Sequence, residues 1–125
     1  MPYTLYKLMH LTGIFAMLVG FTLACAHAQR PGAATDRKAR RAFAITHGVA
    51  VLLILTGGFG MLARLGNMHG ALPGWIIAKL AIWVLLAGAI ALPNRDPRLA
   101  RVLPVAVSVA ALAAAATAIY KPFGG

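Results

Sequence analysis

Acidic residues are almost absent from this chain. Its 125 residues include two, Asp36 and Asp96, against 12 Lys and Arg, for a formal net charge of +10. Both acids stand in polar stretches, so chemistry that needs paired carboxylates inside an apolar core is excluded. Cysteine is equally scarce. Cys25 alone rules out an internal disulfide and a metal cage built from cysteines. Charge of either sign makes up 11% of the residues, where a soluble domain carries about 25%. What fills the space is apolar: 61% of the chain is hydrophobic. The apolar runs are longer than core helices need, so residues 1–125 read as one integral-membrane domain.

Four runs are long enough to matter, at about 5–28, 42–65, 74–92 and 99–120. They predict an all-α four-helix transmembrane bundle. Tyr3 and Tyr6 stand at the start of the first run, where amphipathic aromatics favour the interface. The small residues Ala24–Ala28 resemble a cleavage site, but the run exceeds a signal core and carries His10, so it reads as a retained span. Gln29–Arg41 reads as a polar loop, broken by Pro31 and Gly32; Gly66–Pro73 is a short link, and Pro93–Pro97 a turn.

The cations fall in these gaps. Arg30, Arg37, Lys38, Arg40 and Arg41 lie in the first loop, and Arg95, Arg98 and Arg101 near the third. This end is side B. Side A, with both termini, has Lys7, Arg64 and Lys121. The bias makes side B cytoplasmic and both termini exterior, in a multi-pass protein of the bacterial inner membrane. It also accounts for the basic balance without a nucleic-acid partner; the expected surroundings are membrane lipid. A single cysteine placed at Ala34 should be out of reach of an impermeant thiol reagent added outside, and one at Gly124 within reach. The reverse labelling pattern would overturn this orientation.

Small residues recur every four positions: Ala16, Gly20 and Ala24 on the first span, Thr56 and Gly60 on the second, and Ala106, Ala110, Ala114 and Ala118 on the fourth. Such faces let helices pack closely in lipid. They also leave a homodimer or a larger membrane complex open.

One charge lies inside a span. Lys79 sits four residues from both Trp75 and Trp83, on one helix face. A lysine near the bilayer centre costs up to ~3 kcal/mol, so it calls for a partner or for snorkelling towards the interface. At 1.5 Å of rise per residue, His10, Met61 and Lys79 all lie about 7 Å inside side A. Arg64, His69 and Lys121 lie above that layer. His47 lies near side B, about 18 Å from His10 in depth, so these two histidines do not ligate one haem; a cofactor-binding pair of His27 and His47 at side B stays open. Each residue also has a plainer role. His10 could be a buried, hydrogen-bonded histidine, and His47 could bond a neighbouring carbonyl. Met61 could be packing, His69 solvated and Cys25 a small hydrophobe. In combination, imidazole and thioether are haem ligands. Gly13, Met17 and Gly20 follow His10 on its face, where small residues would leave room for a flat macrocycle.

The first span, YKLMHLTGIFAMLVGF, has a Leu-x-His start with a glycine ten positions on. The third, GWIIAKLAIWVLL, has Gly-Trp followed by a membrane lysine, and the chain ends in Tyr-Lys-Pro-Phe. Together these resemble the HemJ-type membrane protoporphyrinogen IX oxidases, and more loosely the copper-resistance D and SirB groups of small membrane proteins. The HemJ resemblance implies a four-helix haem b protein acting on a porphyrinogen, with His10 and Lys79 at the positions of the family's histidine and lysine. The expectation is then a haem b near side A with His10 as an axial ligand to the iron. Met61 or His69 would be the second ligand, and Lys79, Arg64 or Lys121 would meet the propionates. Two other classes stay open. One is a non-enzymatic subunit of a larger membrane complex. The other, a transporter or copper handler, is poorly served by one Cys, five Met and no intramembrane acid.

Overall fold

The computed structural model describes residues 2–64, 74–96 and 98–120, without the side chains of Ala34, Arg64, Trp75, Asn94 and 118–120. The described residues are predominantly helical and hold no strand. Helix α1 is Tyr3–Ala28, α2 Arg37–Arg64, α3 Gly74–Gly88, α4 Leu92–Arg95 and α5 Leu103–Tyr120. Short 3-10 turns occupy Ala33–Thr35, Ala89–Ala91 and Leu99–Arg101.

The helix ends have local causes. Pro31 cannot continue α1, and Gly32 takes a left-handed φ of 78° to turn the chain. Asp36 then caps α2: its Oδ1 accepts the N–H of Ala39 at 3.2 Å. That cap starts the helix at Arg37, so the basic cluster expected in a loop forms the first turns of α2. The α3 ladder stops at Gly88, earlier than the run to Leu92 suggests. The chain tightens through Ala89–Ala91 and resumes as α4, with Pro93 in its first turn, where proline costs no hydrogen bond.

With 26 and 28 residues, α1 and α2 reach about 39 and 42 Å, more than the ~30 Å hydrocarbon core of a bilayer. They are the two described helices long and apolar enough to cross a membrane unaided. Helix α3 has 15 residues and depends on its 3-10 and α4 continuation for added length.

Helix α1 lies along α2, and α3 pairs with α5. The core runs between the pairs through Met17, Phe21, Cys25, Ala50, Leu86 and Val107. Outside it, large apolar side chains face away from the protein: Phe15 is 66% exposed, Leu85 73% and Leu112 70%. An apolar exterior on every long helix suits lipid, not water.

Candidate functional site

The site begins with glycines that bring two backbones together. A methyl group on Gly13 would stand 2.7 Å from the Ala50 carbonyl oxygen, and one on Gly57 2.6 Å from the backbone nitrogen of His10. On Gly60 it would overlap the Tyr6 ring. Glycine is therefore what lets α1 and α2 cross this closely: at Gly13 and Gly57 the nearest atoms are backbone, and at Gly60 they are the base of the Tyr6 ring. This corrects one expectation. Gly13 and Gly20 do not clear space for a macrocycle: Gly13 is spent on contact with α2, and Gly20 faces Thr46.

The close approach fixes His10. Its Nδ1 lies 2.7 Å from the carbonyl oxygen of Ile54, on the neighbouring helix. A carbonyl only accepts, so Nδ1 carries the hydrogen and donates it. In the neutral ring, Nε2 then keeps its lone pair. Histidines that ligate metals are commonly oriented this way, with the far nitrogen held by a backbone carbonyl.

His10 lines a cavity of about 580 Å³ among α1, α2, α3 and α5. Met61 and Lys79 line it too, so the three residues expected in one layer do meet on one cavity. Lys79 is close enough to His10 for an electrostatic interaction. Lys7, Met17 and Trp83 join them, and among its described side chains α5 contributes Ala111, Ala114 and Ala115. Part of the alanine stripe thus gives the cavity its width, while Ala106 of the same stripe is exposed. The remaining walls are mainly leucine and isoleucine, and no carboxylate is present among the described lining residues. The cavity is apolar with cations at its wall, a setting that favours an apolar molecule bearing negative charge.

In the sequence Lys7 stands out only as one of the side A cations. Its position three residues before His10 places both on one helix face, which is the signal that could have found it. His69 and Lys121 lie outside the described residues, as does the side chain of Arg64.

His47 does not line the cavity. It is 2% exposed, tilted against Phe21 with ring centroids 5.8 Å apart. Its Nε2–H donates to the Leu86 carbonyl at 2.8 Å. Leu86 lies in the last turn of α3, where carbonyls have no partner further along the helix. His47 therefore caps α3 from α2. In the opposite direction, Trp83 Nε1–H donates to the Val51 carbonyl at 2.9 Å. These reciprocal bonds tie α2 to α3 at the cavity wall, which Trp83 and Leu86 both line. His27 is engaged elsewhere, 3.7 Å from Asp36 and beside Phe43. Among the described residues, no three His, Cys, Asp or Glu side chains gather as a metal site. A ligand held here through iron would thus rest on His10 and a neutral partner such as Met61.

Comparison with curated proteins and with solved structures gives no match. The family model described as "Invasion gene expression up-regulator, SirB" matches residues 3–122. That span takes in the α1 histidine, the α3 lysine and the glycine crossing between α1 and α2. The chain belongs to the SirB family.

Proposed function

We propose that this is a multi-pass protein of the bacterial inner membrane whose side A cavity would hold haem b, with His10 as the residue that would bind its iron. The carrying observation is the hydrogen bond from His10 Nδ1 to Ile54, which leaves Nε2 to bind a metal on a residue lining an apolar, cationic cavity. The volume of about 580 Å³ falls within the ~300–1,000 Å³ of ligand sites. Met61 is the second-ligand candidate within the described residues, and a methionine ligand would raise the reduction potential relative to a second histidine. His69 is the alternative from the link outside them. Lys79 and Lys7 would hold the propionates by charge-assisted hydrogen bonds, the stronger kind. Bound haem would supply one-electron redox chemistry; the chain's part is to orient the ring, exclude water and balance its charge.

The family description names a cellular outcome and no chemistry, so the reading rests on the cavity. Porphyrinogen oxidation is what the HemJ resemblance adds. A cavity of this size takes one ligand-sized molecule, so a porphyrin substrate would approach from the lipid side. A second reading, an accessory subunit of a larger membrane complex, draws on the shallow groove of Pro104, Ser108 and Leu112 on the outer face of α5.

Lys79→Met tests the proposal. If Lys79 only snorkels, haem content per protein is unchanged and the bundle gains stability through lost desolvation. If Lys79 holds a propionate, haem content falls while helicity by circular dichroism stays the same, which is the expected result. Equal haem content in both forms would remove Lys79 from the site.

A further inference from the structure

We infer that the ligand of the cavity enters sideways from the lipid, through a slot between the side A halves of α1 and α5, and that Ala111 and Ala115 set the width of that slot. The route presupposes the proposed haem site and adds the class of molecule it admits: a lipid-dissolved, largely apolar body with an anionic end. Among the described lining residues, those that are exposed are Tyr3, Lys7 and Leu11 on α1 and Ala115 on α5. The described lining residues of α2 and α3 are all buried or half-buried. The opening therefore lies between α1 and α5.

The fold explains why it lies there. Elsewhere the wall is tied. Helices α1 and α2 approach to backbone contact at Gly13 and Gly57, and the bonds from His47 to Leu86 and from Trp83 to Val51 hold α2 to α3. Helix α3 packs along α5. Towards side B, α1 and α5 share the core through Phe21 and Val107. Towards side A, α5 faces the cavity with the methyl groups of Ala111, Ala114 and Ala115. These fill little of the space between two helices, so the gap stays open.

Depth decides what the slot opens into. Leu11 is 41% exposed, and at 1.5 Å of rise per residue it lies about 9 Å inside side A, with Ala115 about 7 Å inside it. Both positions are within the hydrocarbon layer. Leu8 and Phe15 on α1 and Leu112 on α5 are exposed as well, so the rim is apolar and meets acyl chains. Lys7 stands one turn above Leu11 on the same edge of α1, nearer the headgroups, and Lys79 lies further in on α3. A molecule sliding in from the side A leaflet would keep its anionic end towards Lys7 while its apolar body passed the alanines to reach His10. No carboxylate among the described lining residues opposes an anion on this path.

The test uses the full-length apoprotein in phosphatidylcholine liposomes, with haem added to the bilayers and the growth of the Soret band followed in time. Ala115→Leu narrows the slot and should slow that growth about tenfold, because α1 and α5 must then part for the ligand to pass, while the final intensity stays that of wild type. Ala113→Leu adds the same bulk on the exposed face of α5 away from the cavity and should load at the wild-type rate. Equal rates for Ala115→Leu and wild type would overturn the inference. So would a lower final intensity at an unchanged rate, which would place Ala115 inside the site and not at its mouth. Wild-type protein that forms no Soret band would end the haem reading and leave the slot to be judged by a second probe. In Trp75→Phe protein, Trp83 at the cavity wall is the sole tryptophan. Dibromostearate, an apolar anion, should quench its fluorescence more than dibrominated phosphatidylcholine at equal bromine content, and Ala115→Leu should abolish the excess. Equal quenching by the two lipids would show that nothing enters between α1 and α5.

Discussion

Gly57→Ala should lower the stability of the bundle by about 1–3 kcal/mol, the cost of forcing an extra methyl group into a packed contact, and should lower the haem content that the proposed site would carry. The new methyl would meet the His10 backbone nitrogen at 2.6 Å and the Tyr6 carbonyl oxygen at 2.7 Å. These atoms belong to the α1 backbone, so the strain is relieved only by moving α1 away from α2. That movement lengthens the bond from His10 to Ile54 and releases the ring. Gly58→Ala is the control. There the methyl would lie 3.5 Å from the His10 ring, an ordinary contact. Alanine also gains roughly 0.5–1 kcal/mol over glycine inside a helix, so this variant should be neutral or slightly stabilised and keep its ligand. Denaturation in graded sodium dodecyl sulfate, followed by circular dichroism, measures both. Equal losses for the two variants would mean that the backbone crossing does not position His10.

The crossing also marks how far the sequence could be read. Depth was legible. Counting residues along antiparallel spans puts His10, Met61 and Lys79 in one layer, and the fold brings all three to one cavity. Counting separated His47 from that layer equally well. Rotation about the helix axis was not legible, because it depends on which neighbour each face meets. Gly13 shares a face with His10 in the sequence, yet it is used up against Ala50 and Ile54. The alanine stripe of α5 could not be divided in advance between cavity and exterior for the same reason.

Helix ends were hidden by local chemistry. The basic run before Ala42 looks like a loop until Asp36 is recognised as a cap, after which Arg37 to Arg41 continue α2 without a breaker. The apolar run to Leu92 conceals the stop at Gly88. With that stop unseen, the carbonyl that His47 satisfies could not be identified, although a carbonyl partner for His47 was one of its readings.

The central claim is that His10 carries the ligand, and the absorption spectrum of protein purified from membranes supplied with haem tests it most directly. The physical case is the fixed tautomer. A ring whose Nδ1–H is committed to Ile54 offers Nε2 as a strong ligand to iron, and removing the ring leaves the cavity with thioethers and cations. Wild-type protein should show a Soret band. His10→Ala should lose most of that intensity or move the band, because a neutral nitrogen ligand is gone, while retaining its helicity. His47→Leu should keep the band, since His47 does not line the cavity and its Nε2–H is committed to the Leu86 carbonyl. An unchanged Soret band in His10→Ala would place the ligand elsewhere, and a wild-type protein with no Soret band at all would contradict the haem reading and leave the accessory-subunit reading in its place.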